Sequence, residues 1–527
     1  MICSMRLRPL AIALLISLVA AGCGTPGLDK PFAIETGTIS GTAGMDASVH
    51  VFKGIPYAAP PVGALRWRAP EPAAAWEGVR NADTFGASCI QNLQGSREPW
   101  TEEFMVQGEI SEDCLYLNVW TAAASSEERR PVLVYIHGGG FSEGSGDILI
   151  YDGESLAKKG LVVVTINYRM GILGFMAHPE LSAEAGGASG NYGLMDQVAA
   201  LAWVQRNIDR FGGDPSRVAV AGQSAGAFSV HYLTGSPMAR GLFQRAILQS
   251  GPGTIAGVGR LSTPMLDDGE AMGAAFAEAV GAPSVAALRA MSWQDLTAPR
   301  AGMPPARFWP IIDGKFLEED VEDAFAAGRQ NDVPTLSGFN ADEGSAFMAA
   351  IYHGITPDAF ATMAINRYGD MAKDYLAAYP GATEEEATAS LQASAREGGM
   401  ASLLHWSALR QKTARTPTYL YYFERAIPWP EHPEFGAFHT GEVPYVFNNL
   451  ALLNRPWEDV DRRLADQVSS YWAQFAAAGD PNAAGLPAWP AFAPGEAVIQ
   501  NLGATVAPRP LPAPERLSFF MSYLDNP

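Results

Sequence analysis

The stretch Arg217-Val-Ala-Val-Ala-Gly-Gln-Ser-Ala-Gly-Ala227 decides the predicted fold of this chain. Residues 218–221 form a short apolar run, typical of a buried strand, and residues 225–233 are predicted to be helical. Between them, the pentapeptide Gly222-Gln-Ser-Ala-Gly226 places a serine on a tight strand-to-helix turn flanked by small residues. Such a turn pushes the serine hydroxyl out of the sheet edge. The stretch therefore predicts an α/β fold in which Ser224 is the nucleophile of an acyl-transfer enzyme.

A second match to the same pattern, Gly140-Phe-Ser-Glu-Gly144, stands in a different context. It follows a run of glycines and leads into Ser145-Gly-Asp147, residue types that are typical of a loop. No helix is predicted to start there, so the strained turn cannot form. Context therefore selects Ser224 over Ser142 as the predicted nucleophile.

Further apolar runs alternate with helical patterns along the chain, which indicates an α/β fold. The clearest runs cover residues 132–136, 161–166, 246–249 and 419–423. They are rich in Val and Ile with little alternation, as expected for central strands that are buried on both faces. An apolar pattern at helical spacing over 194–211 predicts the helix that precedes the Ser224 strand.

Three consecutive glycines directly follow the strand predicted over 132–136, in Tyr135-Ile-His-Gly-Gly-Gly-Phe141. Because glycine has no side chain, backbone N–H groups in such a loop approach a ligand closely. An acyl-transfer site needs donors of this kind for the oxyanion, and a second donor is the N–H of Ala225, directly after the nucleophile. The sequence therefore predicts an oxyanion hole beside Ser224.

The general base is expected downstream of Ser224, because the triad order in this fold is serine, acid, histidine. His405 lies in a predicted helix, and His432 lies in a proline-rich loop between Glu431 and Pro433. His439 lies in a loop that follows the strand predicted over 419–423. Placement on a loop after a strand favours His439.

Two carboxylates compete for the role of the triad acid. Asp342 and Glu343 follow a strand predicted over 334–336, and catalytic groups gather at the carboxyl ends of strands in α/β sheets. A turn-forming or helix-capping role is the alternative for either side chain. The pattern alone leaves both acids open.

The first 22 residues are predicted to be a signal peptide of the lipoprotein type. Their apolar segment, residues 10–20, follows a short basic region and is too short for a typical membrane span. Small residues precede Cys23 and resemble the bacterial lipobox, whose cysteine becomes the lipidated N-terminus; an ordinary secretory cleavage is the alternative. The protein is therefore expected to be exported, as a periplasmic or outer-membrane-anchored lipoprotein, with secretion as the alternative.

The remainder is predicted to be one catalytic domain. Residues 23–30 are expected to form a tether, followed by the domain over 31–527. Helical insertions over about 265–296 and 357–415 are expected to roof the active site and shape specificity. The sequence leaves the oligomeric state open.

The chain has four cysteines, and two remain for the mature fold. Cys3 leaves with the signal peptide and Cys23 would carry the lipid. Cys89 and Cys114 are an even pair in an oxidising compartment, which predicts one disulfide, with two buried thiols as the alternative. No Cys-x-x-Cys or Cys/His pattern indicates a metal site, and the chemistry predicted here needs no cofactor.

Composition bounds the class of partner. A hydrophobic content of 48% indicates a globular chain. Its 36 basic and 56 acidic residues give a formal net charge of −20, which argues against nucleic acid and anionic membrane surfaces as partners. The expected partner is a small-molecule ester, and membrane contact is expected only through an N-terminal lipid.

Several ordered segments together resemble the type-B carboxylesterase family, which also holds the cholinesterases and several fungal lipases. The resemblance runs from Gly37 to about Asn482. The segments that carry it are Phe52-Lys-Gly-Ile-Pro-Tyr-Ala58, Pro60-Pro-Val-Gly-Ala-Leu-Arg-Trp67, Glu112-Asp-Cys-Leu-Tyr-Leu-Asn118, Asn191-Tyr-Gly-Leu-Met-Asp-Gln197 and Phe211-Gly-Gly-Asp-Pro215. The resemblance implies an α/β-hydrolase fold, with a central, mostly parallel mixed sheet flanked by helices.

The resemblance also implies roles for individual residues. Ser224 matches the nucleophile of the family, His439 matches its base, and Glu343 matches its acid, which decides against Asp342. The matched oxyanion donors are Gly139, Gly140 and Ala225.

The implied activity is that of a serine carboxylic-ester hydrolase, working through an acyl-enzyme on uncharged, short-to-medium esters. A lipase or amidase with the same triad is the alternative, as is a non-catalytic adhesion protein of the same fold. Gln223 departs from the glutamate of cholinesterases, and Trp100 and Phe104 do not align with their aromatic choline site. A plain carboxylesterase is therefore expected.

Overall fold

The computed structural model describes residues 27–252, 263–298, 307–348, 352–496, 498–511 and 514–525. The predicted signal peptide, the predicted lipidation site Cys23 and the first half of the predicted tether, residues 23–26, lie outside these residues. Within the described ranges, no helix combines the length and the apolar character needed to cross a bilayer.

The β-strands of the described chain are numbered in chain order. They are β1 Phe32–Ile34, β2 Gly37–Ser40, β3 Thr42–Ala43, β4 His50–Pro56, β5 Val79–Asn81, β6 Ser88–Cys89, β7 Ile110–Ser111, β8 Tyr116–Thr121, β9 Arg130–Ile136, β10 Val162–Ile166, β11 Gly213–Gln223, β12 Arg245–Gln249, β13 Thr335–Asn340, β14 Thr418–Phe423, β15 Val498–Leu502 and β16 Ala507–Pro510. The strand expected over 334–336 is longer than expected and ends at Asn340, close to the candidate acids.

The α-helices of the described chain are numbered in the same way. They are α1 Glu154–Lys158, α2 Gly171–Phe175, α3 Pro179–Glu184, α4 Tyr192–Asn207, α5 Ala225–Gly235, α6 Leu266–Ala279, α7 Val285–Ala290, α8 Trp293–Thr297, α9 Val321–Ala327, α10 Pro357–Tyr368, α11 Ala372–Ala378, α12 Glu384–Gln411, α13 Val443–Val446, α14 Asp459–Ala478 and α15 Pro514–Asp525. Helix α4 continues into a 3-10 turn at Ile208–Phe211, so the helical pattern over 194–211 is present in both segments.

One large mixed sheet organises the fold. Its eleven strands lie in the order β3-β4-β8-β10-β9-β11-β12-β13-β14-β15-β16. The central strands from β10 to β15 run parallel, whereas β8, β4 and β3 at one edge and β16 at the other run antiparallel. Parallel strands need crossover connections, and the intervening helices supply them.

Alternate residues of the central strands face two hydrophobic cores, one on each face of the sheet. On β9, Val132, Val134 and Ile136 belong to one core, and Leu133 and Tyr135 belong to the other. This follows from the two-residue repeat of a strand. Because both faces are covered, all five residues of β10 are buried, as the uniform apolar pattern predicts.

Helices occupy both segments that were expected to form a cap. Helices α6, α7 and α8 lie in the first segment, and α10, α11 and α12 lie in the second. Helix α12 begins after Thr383, whose hydroxyl accepts a hydrogen bond from the backbone N–H of Glu386, and its first turn is acidic, as the helix dipole favours. At its middle, Gly398 packs against the ring of Phe520 on α15. Helix α15 therefore packs against α12 and supports it.

The predicted disulfide is confirmed. Cys89 and Cys114 are bonded, with their Cα atoms 4.9 Å apart. Both are buried, and Cys89 lies on β6, which pairs with β7. The bond ties the ends of a surface segment that includes Trp100, a residue of the candidate site.

Candidate active site

Ser224 lies on the turn between β11 and α5 with φ 57° and ψ −123°, a backbone conformation that is costly for a residue with a side chain. The flanking glycines are required by close contacts. A Cβ added to Gly222 would collide with the backbone of Gly226, and one added to Gly226 would overlap the carbonyl oxygen of Ile136 on β9. The two glycines therefore let the strained turn pack directly on the neighbouring strand.

The glycine loop that follows β9 lies against Ser224, because β9 and β11 are adjacent parallel strands. A Cβ on Gly138 would stand 3.1 Å from Cβ of Ser224. Gly139 and Gly140 follow with φ values of +103° and +60°. The structure thus brings the predicted oxyanion loop to the predicted nucleophile.

Helix α5 begins at Ala225, immediately after Ser224. The first N–H groups of a helix have no partner within it, and the N-terminus carries a partial positive charge. The N–H of Ala225 is one of these groups. An oxyanion formed on an acyl group at Ser224 would meet this end of the helix dipole.

His439 and Glu343 form a buried pair. The imidazole Nδ1 of His439 is hydrogen-bonded to Oε2 of Glu343. The other carboxylate oxygen of Glu343 accepts hydrogen bonds from the Ser250 hydroxyl at 2.6 Å and from the Asn340 backbone N–H at 2.8 Å. With Nδ1–H donating to the carboxylate, the lone pair of the imidazole is on Nε2, as a general base requires.

The Nε2 atom of His439 is engaged by Gln223, whose side-chain nitrogen lies 3.2 Å away. Thr440 Oγ1 donates to Oε1 of Gln223 at 3.4 Å, and Trp100 Nε1 donates to Thr440 Oγ1 at 3.2 Å. Among the hydrogen bonds of the described residues there is none between Ser224 Oγ and His439. Catalytic hydrogen bonds of this kind often tighten only when substrate is bound.

A second carboxylate is buried behind the pair. Glu442 accepts hydrogen bonds from the side-chain nitrogens of Gln249 at 3.0 Å and of Asn340 at 2.6 Å. Burial, with a further contribution from the nearby negative charge of Glu343, raises the pKa of Glu442 to about 7. Burial therefore favours the protonated, uncharged form of Glu442 behind His439.

Two aromatic rings flank His439. The ring of Phe347 lies 4.9 Å from the imidazole and 5.6 Å from the ring of Trp100, between ring centroids. Phe347 is 59% exposed, whereas Trp100 is buried. The imidazole thus adjoins an open apolar surface, which fits an apolar group of a substrate.

The alternative histidines lie elsewhere. His405 is within α12, and His432 is hydrogen-bonded to Glu434 at 3.2 Å on the surface. His231 is buried on α5, where burial lowers its pKa to about 3. Of the described histidines, His439 alone is hydrogen-bonded to one of the two candidate acids.

The rejected acid and the rejected serine also have structural partners. Asp342 pairs with Arg396, with 2.6 Å between Oδ1 and Nη2. Ser142 is exposed, and its hydroxyl donates to the Gly139 carbonyl at 3.1 Å.

Sequence reasoning missed Ser250, Asn340 and Glu442. Ser250 directly follows β12 and Asn340 ends β13, so a scan of polar residues at strand ends would have found both. Glu442, on the loop three residues after His439, had no such signal. Over the described ranges, no group of three or more His, Cys, Asp or Glu side chains is arranged to hold a metal ion.

Comparison with known proteins places this geometry in context. The sequence profile described as the Carboxylesterase family matches residues 29–509. Fumonisin B1 esterase of Sphingopyxis macrogoltabida is 37% identical over 479 residues, which cover 88% of this chain and 85% of that protein. Para-nitrobenzyl esterase of Bacillus subtilis is 36% identical, covering 87% of this chain and 91% of its own length. Human cocaine esterase is 34% identical, covering 98% and 96% of the two chains.

Solved structures agree with the sequence relatives. A structure of PNB esterase is similar with a TM-score of 0.75 and 32% identity, covering 93% of this chain and all of the other. A second structure of the same esterase gives a TM-score of 0.77 at 31% identity. The predicted fold, an α/β-hydrolase with a mostly parallel mixed sheet, is confirmed. The family profile and the named relatives establish that the chain belongs to the carboxylesterase family and is a carboxylesterase.

Proposed function

We propose that Ser224, His439 and Glu343 form a Ser-His-Glu triad that hydrolyses uncharged, short-to-medium carboxylic esters through an acyl-enzyme. The observation that carries the proposal is the buried hydrogen bond between His439 and Glu343, close to the strained turn that bears Ser224. Residues on this turn and on the loops after β13 and β14 meet at one edge of the sheet, where α/β folds bind their ligands.

The proposed reaction has two halves. Ser224 Oγ attacks the ester carbonyl while Nε2 of His439 takes its proton, and the imidazolium is stabilised by Glu343. Collapse of the tetrahedral intermediate breaks the ester bond, and the leaving alkoxide receives that proton as alcohol. His439 then takes a proton from water as the water attacks the acyl carbonyl. Collapse of this second tetrahedral intermediate breaks the bond between Oγ and the acyl group, His439 returns the proton to Oγ, and the carboxylic acid and free Ser224 are released.

The negative charge of each tetrahedral intermediate needs donors, and we assign them to the N–H groups of Gly139, Gly140 and Ala225. The close approach of the glycine loop to Ser224 supports this assignment. Loss of one such donor costs about 3 kcal/mol of transition-state stabilisation. No metal or organic cofactor enters the proposed steps.

The exposed ring of Phe347, which packs on the buried ring of Trp100, supports an apolar group on the substrate next to the imidazole that protonates the leaving alcohol. Two relatives, para-nitrobenzyl esterase and cocaine esterase, are named after compounds that contain an aromatic ring. We therefore infer a preference for esters with an apolar or aromatic group, of modest chain length.

We further propose export as a lipoprotein anchored through Cys23. The lipobox-like sequence supports it, and the Cys89–Cys114 disulfide fits an oxidising compartment. Metabolic labelling with a palmitate analogue should mark the wild-type protein and not Cys23→Ser. Equal labelling of both proteins would contradict lipidation at this cysteine.

The test of function is hydrolysis of p-nitrophenyl acetate, butyrate and palmitate by wild type, Ser224→Ala and Ser142→Ala. We expect turnover of the two short esters by wild type and Ser142→Ala, and none by Ser224→Ala. A preference for palmitate would instead support a lipase. Retained turnover in Ser224→Ala would overturn the assignment of the nucleophile.

A further inference from the structure

Asp342, the neighbour of the proposed acid Glu343, ties together the two loops of the proposed triad. Its Oδ2 accepts a hydrogen bond from the backbone N–H of Ala437 at 2.9 Å, and its own N–H donates to the Ala437 carbonyl at 3.0 Å. The two bonds close a ring between residues that lie one position before Glu343 and two positions before His439. Asp342 thus fixes the spacing of the loops that carry acid and base.

Close packing and further hydrogen bonds hold this ring in place. Gly436 has a φ of +57°, and a Cβ added there would overlap Oδ2 of Asp342. Two neutral hydrogen bonds flank the ring: Asn340 Nδ2 donates to the Phe438 carbonyl at 2.8 Å, and Ser345 Oγ donates to the Phe435 carbonyl at 2.7 Å. Movement of Asp342 would therefore be transmitted to the segment that ends in His439.

The other carboxylate oxygen of Asp342 is held by helix α12. Oδ1 accepts from Nη2 of Arg396 at 2.6 Å, and Nε of the same guanidinium donates to the Ala341 carbonyl at 3.3 Å. Arg396 lies near the middle of α12, which is buttressed by α15. The guanidinium stays charged, because the carboxylate of Asp342 outweighs the effect of burial and raises the pKa of Arg396.

We propose that the Asp342–Arg396 ion pair is a positioning device that holds His439 in register with Ser224 and couples helix α12 to the triad. The inference rests on the proposed triad. Neither residue faces the reacting atoms; each acts through the loop that carries His439.

The proposal predicts a loss in turnover with little change in substrate binding. Misplacement of a catalytic group by about 1 Å costs on the order of 100-fold in rate. We therefore expect Asp342→Asn to lower kcat on p-nitrophenyl butyrate by about 10- to 100-fold, with KM changed by less than about threefold. Asparagine keeps an oxygen for the Ala437 N–H, so the variant removes mainly the charge that Arg396 needs.

Variants of Arg396, the partner of Asp342, test whether a conservative replacement recovers activity and whether the two residues act together. Arg396→Met should lower kcat to a similar extent, and Arg396→Lys, which keeps the charge, should recover part of it. Because the two residues act as one device, Asp342→Asn combined with Arg396→Met should be no slower than the slower single variant.

A matched control is available at the start of β11, the end of the strand far from Ser224. Asp214 is paired with Arg129 at 2.8 Å, and its side chain is 13% exposed, as is that of Asp342. Asp214→Asn should lower the melting temperature to a comparable extent and leave kcat within about twofold of wild type.

The outcomes separate this inference from the proposed function. If wild type hydrolyses the ester, Ser224→Ala does not, and Asp342→Asn keeps the wild-type kcat, the positioning role alone is overturned. If Asp342→Asn does not fold, the folded Arg396 variants decide, and an unchanged kcat in Arg396→Met would overturn the proposal. An inactive wild type would contradict the proposed function and the inference together.

Discussion

The imidazole of His439 is hydrogen-bonded through Nε2 to the side-chain amide of Gln223, 3.2 Å away, and not to the adjacent Ser224. An amide N–H donor occupies the same lone pair that must accept the serine proton. Formation of the reactive complex therefore requires Nε2 to release the amide of Gln223 and to accept a hydrogen bond from Ser224 Oγ instead.

Replacing this amide with a carboxylate should shift the pH dependence of the reaction. In Gln223→Glu, a negative charge next to Nε2 would stabilise the imidazolium, which cannot act as a base. We expect the acid limb of the kcat/KM profile to move to higher pH by about one unit. The measurement is kcat/KM for p-nitrophenyl acetate between pH 5 and 9.

The control for that experiment is Gln205→Glu, which adds the same charge on α4, where the Gln205 amide contacts the Pro215 carbonyl near the start of β11. Its acid limb should coincide with that of wild type. Coincidence of the Gln223→Glu profile with wild type would contradict the role assigned to the Gln223 contact.

Glu442 should make the stability of the protein depend on pH. Its pKa of about 7 in the folded protein lies above the ordinary value of 4.5, so the folded state holds the proton more tightly than the unfolded chain does. The resulting stability is present below pH 4.5 and is lost as the pH rises through 7; it amounts to about 3 kcal/mol at most.

Glu442→Gln removes this titration. The difference in free energy of unfolding, variant minus wild type, should therefore be larger at pH 8 than at pH 4.5, by up to about 3 kcal/mol. Urea unfolding at the two pH values measures it. A difference between the two proteins that does not change with pH would show that Glu442 has an ordinary pKa.

The disulfide should contribute substantially to stability. It closes a segment with a sequence separation of 25 residues, for which the chain-entropy model gives about 3 kcal/mol. The double variant Cys89→Ser/Cys114→Ser should lose about that much free energy of unfolding. Reductant should destabilise wild type and leave the double variant unchanged. Equal stability of wild type and the double variant in the absence of reductant would contradict this prediction.

Local chemistry made the nucleophile predictable. The demand for small residues around Ser224 is a property of five consecutive positions, and the buried contacts of Gly222 and Gly226 account for it. The loop after β14 likewise indicated His439. These features could be read without knowing the rest of the fold, because each depends on residues within a short segment.

The choice between the two candidate acids depended on distant partners. Asp342 and Glu343 are adjacent, and their different roles are set by Arg396 and His439, which are 54 and 96 residues away, respectively. The resemblance to a family pointed to Glu343, whereas the pattern alone left both open. The same holds for Gln223, whose contact lies 216 residues along the chain, and for Glu442, whose shifted pKa comes from burial.

The most direct test of the account is to trap a covalent adduct on the proposed nucleophile. After reaction with a fluorophosphonate, intact-mass and peptide analysis should find one label per chain, on the peptide that contains Ser224. Loss of esterase activity should match the extent of labelling, and Ser224→Ala should remain unlabelled. A stoichiometric label on another residue, or an active wild type that loses no activity on labelling, would contradict the assignment of Ser224 as the nucleophile.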